Sequence, residues 1–135
     1  MEPSRLRKQT GLIGYSLGTA TALQFAVHHP VDRVILIAPF TSIRAMASRW
    51  AGLLGSLIVE QQFDNVACLR KLADCESPPR ITLIHGSQDT VVPVFMGRSL
   101  AQRFPEMIRF IEIPQGDHLT IFRYAGQAIF ESMRP

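Results

Sequence analysis

The chain has 135 residues, 47% of them apolar and 19% charged, with a formal net charge of +3. This describes at most one domain, long enough to bury a core and too apolar to remain disordered. The charge excess is small and its arginines and lysines are not interleaved with aromatic residues, which argues against a nucleic-acid surface.

Residues 1–10 are polar and define no element; Arg5, Arg7 and Lys8 read as a solvated end rather than a membrane-binding patch. Residues 11–15 read as a buried strand. It runs into Gly14-Tyr15-Ser16-Leu17-Gly18, a G-x-S-x-G pattern, and then into small residues suited to a helix packed close to a sheet. Strand, sharp turn and helix is the setting of a nucleophile elbow. The turn strains the serine backbone and exposes Ser16 Oγ at the strand's carboxyl end. A side chain at Gly14 or Gly18 is expected to collide with a neighbouring element. The backbone N–H of Leu17, at a helix N-terminus, is placed to donate to an oxyanion.

The helix over 17–28 ends at His28-His29-Pro30, because proline cannot continue it. Residues 11–27 carry no charge and follow a basic stretch, as in a signal peptide. Their Gly, Ser and Thr content and the elbow within them favour a folded segment and a cytoplasmic protein. Residues 33–40 form an apolar run stopped near Pro39, expected to be a strand buried on two faces of a parallel sheet. Residues 42–62 show helical spacing around Ile43, Met46, Trp50, Leu53 and Leu57, and residues 41–62 suggest a small cap. Phe63-Asp64-Asn65 reads as a helix start, with Asp64 or Asn65 as N-cap and the helix ending before Ser77-Pro78-Pro79. Residues 80–86 form the next strand, 94–104 a helix, 108–114 a last strand, and 119–133 an amphipathic helix through Leu119, Phe122, Ala125, Ile129 and Met133. Cys68 and Cys75, about 10 Å apart on a helix, are too distant for a disulfide and wrongly spaced for zinc. They read as reduced core or boundary residues. No stretch is apolar and long enough to span a bilayer.

This alternation predicts an α/β fold, a parallel sheet of about four strands with flanking helices joined by right-handed crossovers. In such folds chemistry collects at the carboxyl ends of strands. Ser16 ends the first strand. Asp89 follows the third within His85-Gly86-Ser87-Gln88-Asp89, and His118 follows the fourth within Gly116-Asp117-His118. As a set they suit acyl transfer: Ser16 as nucleophile, His118 as its base, Asp89 as the carboxylate that orients the imidazole. Taken singly, each has a plainer reading, as a turn residue, a cap and an N-cap neighbour. Asp117 is a rival acid, although adjacent loop side chains rarely aim at each other. His85 is expected to fix the Asp89 loop, and His28 and His29 to be solvated. Phe95, Met96 and Trp50 read as core or cap packing, with Trp50 also a candidate pocket wall.

The segments Gly14–Thr19, Ala38-Pro39-Phe40-Thr41-Ser42, Phe63-Asp64-Asn65, His85–Pro93 and Gly116-Asp117-His118 resemble the C-terminal half of an α/β-hydrolase, over residues 11–133. The Pro-Phe-Thr-Ser and Phe-Asp-Asn pieces are similar to short-cap serine hydrolases such as lysophospholipases, monoacylglycerol-type lipases and depalmitoylases. The resemblance implies a small-molecule ester or thioester substrate, no metal and no organic cofactor, and peripheral membrane contact if that substrate is a lipid. A full family sheet has about eight strands, and the sequence accounts for the last four. The loop that normally supplies a second oxyanion donor is then missing, and strand 11–15 becomes an apolar edge prone to self-association. The alternatives are a non-catalytic half-domain or edge-pairing interaction module, and a longer protein whose start lies upstream.

Overall fold

The computed structural model describes residues 9–58 and 63–134. The readings that fall on residues 1–8 and 59–62 lie outside the described residues. The elements follow in the order β1 (Gly11–Tyr15), α1 (Leu17–His28), β2 (Arg33–Ile37), α2 (Ile43–Ile58), α3 (Asn65–Ala73), β3 (Arg80–Gly86), α4 (Val94–Arg103), β4 (Ile108–Ile113) and α5 (Ile121–Met133). The strands form one all-parallel sheet in sequence order, β1-β2-β3-β4.

Strand residues alternate between two faces, and the side chains sort accordingly. Val34, Leu36, Ile81, Leu83 and Ile108 join Leu23, Leu69, Leu72 and Leu100 in a core against α1, α3 and α4. Ile35, Ile37 and Ile84 turn the other way and pack against Ile121 and Ala125 of α5. Full burial of a leucine or isoleucine contributes about 1.5–3 kcal/mol, so these two layers dominate stability. A Leu36→Ala change, at a wholly buried position of β2, would cost about 2–5 kcal/mol.

The α5 layer covers β2, β3 and β4. At β1 it leaves Ile13 52% exposed, while Leu12, facing the other way, packs on the α1 core. Among the described strands β1 lies at the edge of the sheet, and its exposed apolar side chain is Ile13.

Several boundaries differ from the sequence reading. β2 stops at Ile37 rather than 40, because Ala38 turns to a φ of 51° and leaves the ladder. The last helix starts at Ile121, since Asp117 caps a turn over 117–120; Leu119 is outside it and exposed, and its buried side is Ile121 and Ala125 rather than Phe122 or Met133. Phe95 and Trp50 are not core residues: they are 55% and 64% exposed, whereas Met96 is buried. Of the cysteines, Cys68 is buried in α3, and Cys75 is exposed beyond that helix's end.

The excursion over residues 43–63 is pinched at its base. Ser42 and Asp64 form an antiparallel bridge, and Asn65 N–H donates to Thr41 O at 3.0 Å. Asp64 caps α3 by accepting from Ala67 N–H at 2.9 Å. Ile43, Ala45, Met46 and Phe63 pack on a third cluster of Ala20, Phe40, Val92 and Met96.

Candidate active site

Ser16 follows the last residue of β1 directly and has φ 52° and ψ −118°. A non-glycine residue in that region carries strain of about 1–3 kcal/mol. Three ties hold it there. Ser16 N–H donates to Ile37 O at 2.9 Å, Thr19 N–H to Ser16 O at 3.0 Å, and Thr19 Oγ1 to Ser16 O at 2.6 Å. Asn65, fully buried, donates to Phe40 O at 2.8 Å and to Thr19 Oγ1 at 3.3 Å, so the start of α3 braces the turn from below. Leu17 N–H opens α1 and, among the described residues, donates to no protein acceptor.

The two flanking glycines differ. A Cβ at Gly14 would lie 2.5 Å from Gly18 O, so β1 and α1 approach too closely for any side chain there. A Cβ at Gly18 meets nothing within 4 Å. The collision expected at Gly18 does not arise, because nothing described packs beside β1 on its open edge.

Asp89 lies in the loop after β3. Its Oδ1 accepts from Val91 N–H at 2.9 Å and Val92 N–H at 2.8 Å, and its Oδ2 lies 2.8 Å from His118 Nδ1. The cap and the imidazole partner therefore use different oxygens. Burial pushes the Asp89 carboxyl up, but the adjacent His85 and the hydrogen bonds from His118 and Val92 N–H outweigh it and hold the group below its ordinary value. An ionised carboxylate only accepts, so His118 Nδ1 donates to Asp89 and Nε2 is the ring nitrogen left to act on a substrate or nucleophile.

His85 is fully buried behind this pair. Its Nε2 donates to Val92 O at 2.7 Å and lies 3.6 Å from Asp89 Oδ2. Its Nδ1 has no hydrogen-bond partner among the described residues and faces Gly97 of α4, where a Cβ would come within 2.4 Å of it. His85 thus clamps the Asp89 loop. Asp117 does not compete for the imidazole. Its Oδ1 accepts from Leu119 and Thr120 N–H, chiefly the latter, and these bonds hold its carboxyl low.

Parallel strands lie about 4.8 Å apart, so the ends of β1 and β4 are separated by three steps, about 14 Å. The loop after β4 must fold back across the sheet to bring His118 near Ser16. It does so over β3, where Gly116 crosses Gly86 so closely that a Cβ on Gly86 would sit 2.1 Å from Gly116 O. Gln88 N–H donates to Gly116 O at 3.0 Å and seals the crossing. The loop then reaches Tyr15, whose hydroxyl donates to His118 O. Among the described residues, Ser16 Oγ makes no hydrogen bond to the imidazole; in unliganded sites such bonds often tighten only with substrate in place. His28 and His29 sit exposed at the far end of α1, and no group of three His, Cys, Asp or Glu with metal-ligand geometry occurs among the described residues.

Tyr15, Thr19, Asn65 and the Gly86–Gly116 crossing were not distinguished by sequence. The fixed position of Tyr15 beside the serine was the one available signal.

No protein-family model matches the chain. An uncharacterized protein of Mycobacterium tuberculosis, known from strains CDC 1551 and H37Rv, is 25% identical over 137 aligned residues, covering 99% of this chain and 45% of that protein. The chain thus spans less than half the length of the curated relatives it matches. Among solved structures, the esterase domain of a Rhodothermus marinus protein superposes with a TM-score of 0.67 at 22% identity, over 89% of this chain and 57% of that one. A Pyrococcus horikoshii acylaminoacyl peptidase also gives 0.67, at 14% identity, over 92% and 24%. An alpha-beta serine hydrolase homologue from Coxiella burnetii gives 0.56 at 15% identity, over 92% and 48%.

Proposed function

Because the chain has the α/β-hydrolase fold, matching part of each of these larger proteins, we propose that it carries the catalytic constellation of a serine hydrolase acting on a carboxylic ester or thioester. The observation that carries this reading is the 2.8 Å contact between His118 Nδ1 and Asp89 Oδ2, on a loop folded back toward a strained serine. His118 Nε2 takes the Ser16 proton as Oγ attacks the acyl carbon. Asp89 stabilises the imidazolium, and Leu17 N–H stabilises the tetrahedral oxyanion. The proton then passes to the departing alcohol or thiol, leaving an acyl-serine. Water, activated by the same imidazole, attacks that ester and frees the acid and Ser16.

A fluorophosphonate probe tests this directly. It should label the folded chain at Ser16, and the label should vanish in Ser16→Ala and fall sharply in His118→Ala. A folded chain that takes no label would sink the reading.

The edge of β1 supports a second reading, as an edge-pairing interaction module. Ile13 is half exposed, and residues 11–27 contain none of the charges that usually blunt an edge. Light scattering separates the two: a monodisperse monomer that turns over ester excludes the module.

A further inference from the structure

We propose that Tyr15 is a positioning residue that clasps the His118 loop to the strand end bearing Ser16, an inference that rests on the hydrolase reading of the site. The two residues are 103 apart in sequence and joined from opposite sides of the sheet. Tyr15 is the last residue of β1, and its side chain points to the α5 face, where it packs with Ile35, Ile37 and Ile121. From there the phenol meets the returning loop in two ways. Its hydroxyl donates to the carbonyl of His118, fixing that residue's backbone. Its ring lies 5.1 Å from the imidazole, centroid to centroid, tilted by 33°. Phe122 meets the Tyr15 ring in a T-shaped contact, 5.0 Å between centroids and 69° between planes.

Asp89 alone leaves the imidazole free to swing about the Nδ1–Oδ2 axis. A second anchor on the main chain, with a ring against one face of the imidazole, removes that freedom. Because Tyr15 and Ser16 are consecutive, any shift of the elbow carries the clasp with it, and nucleophile and base move together. The phenol also stays a donor: burial, then the charges of Asp89 and Asp117, push its ionisation above the usual tyrosine value.

The inference requires the hydroxyl, not merely an aromatic ring. Tyr15→Phe keeps the ring and its packing and should slow fluorophosphonate labelling of Ser16 about 10- to 100-fold, the scale of a misplaced catalytic group, with little change in Tm. The independent readout is the downfield proton resonance of His118 Nδ1–H in the bond to Asp89. It should be sharp in the native chain and broadened or lost in Tyr15→Phe. If the native chain shows this resonance and loses it in the variant, yet never labels, the clasp stands and the hydrolase reading fails. A variant that labels at the native rate with the resonance intact overturns the clasp. Should Tyr15→Phe not melt cooperatively, Phe122→Leu is read instead. It keeps the hydroxyl, so the Tyr15 hydroxyl proton should there exchange slowly and show cross-peaks to His118, and a freely exchanging hydroxyl overturns the proposal.

Discussion

Adding one methyl at Gly86 tests whether the loop crossing sets the site. The new Cβ would sit 2.1 Å from Gly116 O and 2.6 Å from its carbonyl carbon, whereas real contacts of this kind stay above 3.0 Å. The obstructing atoms are backbone, so no side chain can rotate away. The two loops must part by about 1 Å in a close-packed interior. That movement strains Gln88 N–H to Gly116 O and Ser87 N–H to Ile113 O, both 3.0 Å. It also separates the loops that carry Asp89 and His118. Overpacking of this order costs about 1–3 kcal/mol, or a Tm drop of about 4–12 °C for a domain of this size. A displacement of about 1 Å at a catalytic pair costs on the order of 100-fold in rate. Gly86→Ala should therefore stay folded at 25 °C and label with fluorophosphonate about 100-fold more slowly. Gly126→Ala is the control, since a Cβ there meets nothing within 4 Å and the change favours the helix. A Gly86→Ala protein with native Tm and native labelling rate would refute the crossing as the determinant of the site.

Gly14→Ala should be far more damaging than Gly18→Ala, because only the first meets backbone, at 2.5 Å; equal Tm losses in thermal melts would contradict this. The folded Asp89 carboxyl titrates below its unfolded value, so its contribution is complete above the ordinary carboxylate range and is lost as pH falls through the depressed value. In urea titrations from about pH 5 down to about pH 2, native stability should fall faster than that of Asp89→Asn; parallel curves would exclude it. Asn65→Ala should cost about 1–3 kcal/mol in urea denaturation by stranding Phe40 O. The lower end is expected because Asn65 Oδ1 is itself an unpartnered buried acceptor that the change removes; native stability in Asn65→Ala would deny the brace. An aromatic disulfide reagent should modify Cys75 quickly and Cys68 only on unfolding, since Cys68 is buried and burial pushes its thiol's pKa up, disfavouring the thiolate. A fast phase that survives Cys75→Ser would overturn that assignment.

The strand-helix alternation was readable because each strand is a short apolar run closed by a helix signal or a proline. The boundary at Asp64 was readable because an N-cap is a local hydrogen bond. Asp89 and His118 were placed correctly at the ends of β3 and β4 by topology alone. What escaped was everything decided by approach in space. Tyr15 meets His118 from 103 residues away, Asn65 meets Thr19 from 46 away, and the Gly86–Gly116 crossing exists only once a loop doubles back. Helical spacing also misled at α5. Leu119 and Phe122 fit an amphipathic pattern, but the Asp117 cap delays the helix to Ile121 and rotates its buried side. Trp50 and Phe95 were assigned to packing on hydrophobicity, which says nothing of which way a residue faces.

The sheet reaches into the site through a repeated bond. The residue leaving each of the first three strands donates to a carbonyl at or near the end of the next strand: Ser16 N–H to Ile37 O at 2.9 Å, Ala38 N–H to Ile84 O at 2.9 Å, and Ser87 N–H to Ile113 O at 3.0 Å. Strand register thus continues for one residue beyond each strand, into the turns that carry the chemistry. Two of those residues, Ser16 and Ala38, hold positive φ, so the same step that extends the ladder also turns the chain out of it. A slip of one residue in any pairing would turn side chains to the opposite face and break the bond at the exit. Register, core burial and site geometry are therefore one constraint for Asp89 and His118, whose strands are paired or covered around them. Ser16 differs, since β1 is paired only with β2 among the described strands and its Ile13 is left half exposed, whereas the other edge strand, β4, is covered by α4 and α5. Its position depends on Ile37 O and on the Thr19–Asn65 brace, and loosening either should move the nucleophile before it moves the acid–base pair, whereas loosening the Tyr15 clasp should free the imidazole.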